Sequence, residues 1–427
     1  MSPPPRNTAA TTRRSPVAFA ATAYVLAVLL VGPNVPTPLY PTYRQAFGFS
    51  PLTVTLIYAV YAGTLIPSLL LFGPLSDALG RRRVLYWALA LAAAGAVLLA
   101  YAQGTGWLFL GRMLQGVSIG AGSGAASAAL RETEPSDNRT RAAIAASAAM
   151  VGGSAVGPVL AGVLVQYAPA PRHLSYLVYL VLLGIGAVAL SALHEPRPTQ
   201  TWKPQRPGVP AHMRVPFAIA GATAFLVWAV TALFLALIPS FVAGVLHTPN
   251  TAVSGAVVTA MLAGSALVQL CGRSWPALRV QITGLVVVVA GLAVLNAAGY
   301  RASVTLLLVA AVVAGVGQGM AFLGAMKEVN LNAPPARLAE VISGFYVVVY
   351  LGVGVPIIGV GVLATHVGLL TAVREFSLAV GVIGIALAAV LALYARRRTA
   401  HPASSDPDER THVPPPDTSI PPLKHGG

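Results

Sequence analysis

The chain has 427 residues, is strongly hydrophobic and carries a net charge of +15. Apolar residues make up 56% of it, only 9% are charged, and the mean hydropathy is +0.74. Soluble domains carry about 25% charged residues, so this composition excludes an ordinary soluble protein. We attribute the positive charge to membrane topology and anionic lipid, not to nucleic-acid binding. The single cysteine, Cys271, excludes an intrachain disulfide.

Apolar runs of about 20 residues recur along the chain, and each is long enough to cross the bilayer as a helix. They predict an all-α polytopic membrane protein with twelve transmembrane helices. The predicted spans are 17–39, 51–72, 84–103, 107–130, 142–167, 173–193, 215–244, 251–271, 277–299, 303–326, 338–364 and 372–395.

The distribution of Lys and Arg predicts that both termini are cytoplasmic. With the N-terminus inside, the outer connections hold only Arg44, Arg172, Arg301 and Arg374, and Arg112 lies within a span. The other Lys and Arg residues of the 27 fall on the inner side. Short cytoplasmic loops are enriched in these residues, which supports this orientation.

Weak internal repeats predict two pseudo-symmetric six-helix bundles. Gln115-Gly116 is echoed by Gln318-Gly319, and GGSAVGPVLAG at 152–162 is echoed by YLGVGVPIIGVG at 350–361. Duplication of this kind is typical of secondary transporters. We therefore divide the chain into bundles at 16–195 and 214–396 and a cytoplasmic linker at 196–213, with disordered cytoplasmic tails at 1–15 and 397–427.

Three short sequences with regular spacing interrupt the apolar background. GPLSDALGRRR connects spans 2 and 3, RMLQG lies in span 4, and GGSAVGPVLAG lies in span 5. Over residues 16–396 the chain resembles the major facilitator superfamily, through its helix 2–3 signature, its helix 4 signature and the helix 5 signature associated with antiporters. The matching residues are Gly73, Leu75, Asp77, Gly80, Arg81 and Arg82 in the first, Arg112, Gln115 and Gly116 in the second, and Gly153, Gly157, Pro158 and Gly162 in the third, where Ala161 replaces a frequent glycine.

The resemblance, closest to bacterial drug/proton antiporters, implies a function and a location. We expect a proton-linked exporter of small, largely apolar molecules that works by alternating access in the cytoplasmic membrane of a bacterium. We expect no enzyme activity, no cofactor and no metal, and a monomer whose partners are a small-molecule substrate, the lipid bilayer and protons. An uptake symporter or facilitator is the alternative within the same fold, and a polytopic enzyme or sensor is a remote one.

The helix 2–3 signature predicts a conformational latch on the cytoplasmic side. An ionised Asp77 near the N-terminus of helix 11 would be attracted by the positive end of that helix and tie the two halves together. Gly73 and Gly80 would allow a close approach and a tight turn. The arginines can pair with Glu132, Glu134 or Asp137. The alternative is a positive inner loop with a solvated aspartate.

Arg112 is a candidate for substrate binding or proton coupling, because an arginine inside a span is costly and therefore a functional candidate. The alternative is that it extends to the outer interface. Gly116, Gly120 and Gly124 follow at a spacing of four residues and predict a face for close helix packing.

In span 5, Gly153 and Gly157 form a small-residue pair and Pro158 predicts a bend. The resemblance implies a sealed contact with helix 8 that restricts ion leak in antiporters. Plain helix packing is the alternative explanation of the same residues.

Polar and aromatic residues inside several spans are candidates for the wall of a central cavity. These amphipathic side chains tolerate apolar cargo, with ordinary helix packing or an interfacial belt as the alternative. The candidates are Asn34, Tyr58, Tyr61, Trp228, Tyr346 and Tyr350, and more weakly Tyr24. No Asp or Glu lies at the middle of a span, so proton coupling follows from the resemblance alone, and neutral or anionic cargo suits Arg112 better than a cation.

Overall fold

The computed structural model describes residues 15–193, 207–248 and 250–400, with the backbone alone for 273, 336 and 397–400. Nearly all of the predicted N-tail, most of the linker and the C-tail after residue 400 lie outside the described residues. The described chain is almost entirely helical and contains no strand. Its helices are α1 (Pro16–Val31), α2 (Tyr40–Phe47), α3 (Pro51–Leu79), α4 (Arg81–Ala100), α5 (Thr105–Thr133), α6 (Arg139–Tyr167), α7 (Leu174–Ala189), α8 (Arg214–Ala236), α9 (Ile238–Gly244), α10 (Thr251–Cys271), α11 (Ala277–Tyr300), α12 (Val304–Asn332), α13 (Leu338–Val367) and α14 (Leu369–Ala400).

Eleven helical segments in the described residues are long and apolar enough to span a membrane. The remaining predicted span, 107–130, forms the 29-residue helix α5, which falls outside that group. Its sequence is rich in glycine and serine and contains Arg112, which lowers its hydropathy. Because α5 packs against α1, α3 and α4, protein surrounds much of its polar surface.

Two helices extend beyond the predicted spans. The connection predicted at 73–83 is mostly helical, because α3 continues through Pro74 to Leu79 and α4 begins at Arg81. Only Gly80 breaks the helix, with a φ of 100° that favours glycine. At the other end of the chain, α14 continues to Ala400, into the segment predicted as a disordered tail.

The first and seventh predicted spans are both broken in their outer halves. Short 3-10 turns follow α1 at Gly32–Asn34 and Thr37–Leu39, and α8 gives way to α9 at Leu237. Proline explains the breaks, since Pro36 has no N–H for the carbonyl of Gly32 and Pro239 has none for Leu235. Each break therefore removes one regular helical hydrogen bond, to the carbonyl of Gly32 in the first span and to that of Leu235 in the seventh.

The helix contacts before residue 194 are repeated after residue 207. In the first half α5 packs between α3 and α4 and α6 packs on α1, while in the second half α12 packs between α10 and α11 and α13 packs on α8. Buried apolar side chains form one cluster in each half, with Tyr58, Ala59 and Ala62 of α3 joining the second. Across the halves, α6 packs on α10 and α3 packs on α13. Eight helices thereby enclose the centre of the molecule.

Candidate functional site

A central cavity of about 420 Å³ lies between the two halves. Its wall comes from α1 and the turn after it, and from α3, α5, α6, α8, α10, α12 and α13. The structure brings together on this wall Arg112 and all six of the main predicted cavity residues: Asn34, Tyr58, Tyr61, Trp228, Tyr346 and Tyr350. Tyr24 lies elsewhere, and its hydroxyl donates to the carbonyl of Leu182 at 3.1 Å.

The two halves are in close contact at one end of the cavity. We call this end the outer side and the end where α1 begins the inner side, after their predicted locations. On the outer side a Cβ placed on Gly361 of α13 would lie 3.0 Å from the Cβ of Thr55 on α3, and Thr55 is fully buried. The backbone N–H of Thr251 on α10 donates to Gln166 Oε1 on α6 at 2.8 Å. These contacts close the outer end.

The cavity wall continues toward the inner side. Ser147 and Met150, near the start of α6, line the cavity together with Gln269 and Leu270 near the end of α10 and Met326 on α12. Each of these residues lies closer to the inner end of its helix than the outer contacts do. The halves are therefore in contact at the outer end, and the cavity wall extends from there toward the inner ends of these helices.

Arg112 is buried in the cavity wall, with only 1% of its surface exposed. Its Nη1 donates to the carbonyl of Pro33 at 2.7 Å and to Gln115 Oε1 at 2.9 Å. The guanidinium carbon lies 4.5 Å from the ring centre of Tyr61 and 5.4 Å from that of Tyr58, in the range of cation–π contacts. Because protein encloses this group, it does not extend to the outer interface, and that alternative is wrong.

Gln115 completes the same network one helical turn away. Its Nε2 donates to the carbonyl of Gly32 at 3.0 Å, the carbonyl that Pro36 leaves without its helical partner. Arg112 and Gln115 thus satisfy the acceptors freed by the break after α1, as buried carbonyls require.

The opposite wall of the cavity is aromatic. The rings of Trp228 and Phe322 meet edge to face with centroids 5.6 Å apart, and Phe322 stacks on Phe345 at 6.1 Å. Tyr346 and Tyr350 stack at 6.4 Å. The cavity therefore combines one charged group on the first half with a large apolar surface on the second.

Comparison with known proteins agrees with this architecture. The sequence model of the Major Facilitator Superfamily matches residues 17–298, more than half of the chain. The chain belongs to the major facilitator superfamily.

Individual relatives are transporters by name. A putative metabolite transport protein of Haemophilus influenzae is 41% identical over 98 residues, which are 23% of each chain. The putative multidrug resistance protein MdtD of Klebsiella pneumoniae is 29% identical over 153 residues, 36% of this chain and 32% of that one. The chain thus matches about a third or less of the length of these relatives.

Solved structures share the fold. The structure of a bacterial homolog to the human lysosomal transporter Spinster, in an inward-facing and occupied conformation, has a TM-score of 0.67 at 16% identity. The match covers 88% of this chain and 96% of that one. At this identity the likeness shows the fold alone, so the features of the cavity are argued from this chain's own residues.

In this protein the helix 4 glycines pack against α3. A Cβ on Gly116 would collide with Thr64 and the carbonyl of Tyr61, and one on Gly120 would lie 2.6 Å from the Cβ of Ser68. Hydrogen bonds reinforce the contact, including one from Ser68 Oγ to the carbonyl of Val117 at 2.8 Å. Gly116 therefore positions α5, whereas Arg112 faces the cavity.

The helix 5 signature divides its contacts between two neighbours. A Cβ on Gly153 would collide with the carbonyl of Ala27, and one on Gly157 would lie 2.6 Å from the carbonyl oxygen of Val31, both in α1. Pro158 and Gly162 instead meet Gly255 of α10, the eighth predicted span. Pro158 and Gly162 therefore form the contact with helix 8 that the family resemblance implies, and Ala155 adds to it by accepting from Thr259 Oγ1 of α10 at 2.8 Å.

The helix 2–3 signature is on the inner side, where Asp77 forms an ion pair with Arg81. Arg81 also pairs with Glu132 at 3.3 Å, while Glu134 accepts from the backbone N–H of Ser136 at 2.8 Å. Helix 11 of the predicted latch is α13, the eleventh predicted span. The described contacts of α3 with α13, at Gly354 and Gly361, lie toward the outer side. In this conformation Asp77 is therefore paired with Arg81, and its role as a latch stays a prediction. Gly73 is inside α3, 4.0 Å from the Cβ position of Gly124.

Sequence reasoning missed the polar cluster on the second half of the cavity wall. Gln318 Oε1 accepts from Ser265 Oγ, whose oxygen in turn accepts from Gln269 Nε2 at 2.9 Å. The echo between Gln115-Gly116 and Gln318-Gly319 was the available signal, because each glutamine lies in the helix that packs between two neighbours in its own half.

Proposed function

We propose that this transporter exports small, largely apolar molecules by alternating access and that proton movement drives the export. The observation that carries this proposal is the central cavity between the halves, closed by Thr55–Gly361 contacts on one side and lined toward the other. Secondary transporters place their substrate sites at this interface between repeats. The aromatic wall suits apolar cargo.

The support for export as the direction of transport, and for coupling to protons, comes from sequence similarity and not from the cavity. The helix 5 signature and the MdtD-type relatives favour efflux and antiport. The residues that line the cavity in the described chain include no Asp, Glu or His, so no wall residue is assigned as the proton carrier. An uncoupled facilitator is therefore the second candidate, and the experiment has to separate it from an antiporter.

A redox-controlled lock on the outer contact tests alternating access. Thr55→Cys and Gly361→Cys, introduced together in a Cys271→Ser background, place two sulfurs where the Cβ atoms are about 3.0 Å apart. Disulfides need Cβ atoms about 3.5–4.5 Å apart, so a small adjustment closes the bond. The oxidised protein then keeps its outer side shut.

Transport is measured in proteoliposomes with radiolabelled aromatic carboxylates, amides and amines, with and without an imposed pH gradient. We expect gradient-driven accumulation by the reduced lock variant and its loss when the same variant is oxidised, with the oxidised Cys271→Ser protein as the control that keeps its activity. Equal rates with and without the gradient would favour the facilitator. Transport that continues after complete cross-linking would contradict alternating access.

A further inference from the structure

Arg112 carries a positive charge in the cavity wall that no side chain neutralises. It is the one charged residue that lines the cavity within the described chain. In the same residues, the ion pairs involve other arginines, and none includes Arg112. A buried charge without a counter-ion costs free energy. The presence of Arg112 in the wall is therefore explained if a ligand supplies the opposite charge.

The hydrogen bonds of Arg112 use only one end of the guanidinium. Nη1 makes both bonds, to Pro33 and Gln115. Nε and Nη2 are buried and have no hydrogen-bond partner. These two nitrogens form one edge of the planar group, whose paired N–H bonds match the two oxygens of a carboxylate.

The second half of the wall offers a complementary surface. Trp228 Nε1 is also buried without a hydrogen-bond partner, and the ring of Trp228 belongs to the aromatic wall with Phe322. Among the described residues that line the cavity, the buried side-chain groups without a partner are thus all donors, and they belong to residues next to an apolar surface. A neutral apolar molecule would leave these donors unsatisfied, and a cation would add repulsion to Arg112.

We propose that the cargo of this cavity is an amphipathic organic anion, a small carboxylate with an aromatic or other apolar body. Its carboxylate pairs with the free edge of Arg112, and its body lies against the aromatic wall. Nε and Nη2 are shielded from solvent in this conformation, so the neighbouring side chains shift when the cargo binds, as is common at binding sites. This inference rests on the proposed function and narrows its substrate class.

Three naphthalene probes with the same body and different charge test the inference: naphthoate, naphthamide and naphthylmethylammonium. Their dissociation constants are measured by calorimetry on the purified full-length protein in nanodiscs, where no transport occurs. We expect naphthoate to bind about 10- to 100-fold more tightly than naphthamide, as charge-assisted hydrogen bonds predict. The ammonium compound should bind most weakly.

Variants assign the preference to Arg112. Arg112→Gln should abolish the preference for naphthoate over naphthamide, and Arg112→Lys should keep part of it, because a lysine retains the charge but not the fork. Arg301→Gln is the matched control, since Arg301 is exposed at the outer end of α11. The control should bind all three probes as the unmodified protein does.

Equal affinities for the three probes, or an anion preference that survives in Arg112→Gln, would overturn the inference. If Arg112→Gln does not fold, the ranking of the probes on the unmodified protein still decides the charge preference. Binding of naphthoate without any transport would overturn the proposed function and leave this inference standing. Transport of amides or amines without a preference for anions would overturn this inference and leave the proposed function standing.

Discussion

The polar side chains at the centre of this transporter serve backbone groups first. Pro33 and Pro36 interrupt the first span, and the freed carbonyls accept from Arg112 and Gln115. This use accounts for one nitrogen of the guanidinium and leaves its opposite edge unpaired. A single residue can therefore hold the broken helix in place and still face the cavity with an uncompensated charge.

At the inner side, Asp77 is the residue whose charge we expect to bias the conformational equilibrium. Asp77→Asn keeps the size and removes the charge, so we expect a shift toward the inward-open state. A charge near a helix N-terminus is worth about 0.3–2 kcal/mol, which corresponds to a shift of roughly 2- to 30-fold. The lost pair with Arg81 weighs less, since Asp77 is 40% exposed and exposed pairs contribute about 0–1 kcal/mol.

The measurement is the labelling rate of Thr55→Cys in a Cys271→Ser background. Thr55 is fully buried in the present conformation, so its labelling reports opening of the outer side. Asp77→Asn should slow it, whereas Glu132→Gln, which removes the other partner of Arg81, should leave it unchanged. Unchanged labelling in Asp77→Asn would show that the aspartate is only a solvated residue.

At the scale of the helix, α5 depends on small residues for its position. Gly116 and Gly120 leave no room for a Cβ against α3, but Gly124 does, since its nearest neighbour is 4.0 Å away at Gly73. Helices in a bilayer associate through close packing of this kind rather than through the hydrophobic effect. The same spacing of four residues thus has different consequences along one helix.

A pair of alanine substitutions measures this difference. In Gly120→Ala the new methyl group would lie 2.6 Å from the Cβ of Ser68 and 2.8 Å from the backbone nitrogen of Leu69, so the helices must separate. We expect a loss of about 1–3 kcal/mol, the usual cost of overpacking. Gly124→Ala is the matched control and should be neutral or slightly stabilising, because alanine favours the helix. Equal thermal unfolding midpoints for the two variants in detergent would contradict the assigned packing.

At the scale of the whole molecule, the contacts between the halves are concentrated on one side. The pairs α3–α13 and α6–α10 close the outer end, and the cavity wall extends toward the inner ends of α6, α10 and α12. The assignment of the inner side to the cytoplasm rests on the distribution of Lys and Arg in the sequence.

Reporter fusions test the orientation. A reporter that is active only in the cytoplasm should be active when fused after residue 205 or at the C-terminus. It should be silent near Thr248, in the connection between α9 and α10, because that connection is predicted to be outside. The reverse pattern would place the open side of the cavity outside the cell and reverse every statement about direction.

The sequence by itself was sufficient for the helices and the family. Apolar runs must hydrogen-bond internally in a bilayer, which leaves the helix as their conformation, and the three signatures identified the superfamily that the comparison showed. It also supplied the candidates for the cavity, because polar and aromatic side chains within apolar spans are few. The helix ends were less accessible, since the predicted span 51–72 gives no sign that α3 continues to Leu79.

Only the tertiary structure decided which neighbour each face meets. The spacing of Gly153 and Gly157 defines a face of α6, but its contact with Ala27 and Val31 of α1 depends on how the helices pack. The direction of the Arg112 side chain was likewise open, because depth in a span is compatible with either the interface or the interior. In the structure it points inward, where Arg112 donates to the carbonyl of Pro33 and Gln115 donates to that of Gly32, about 80 residues away in the chain.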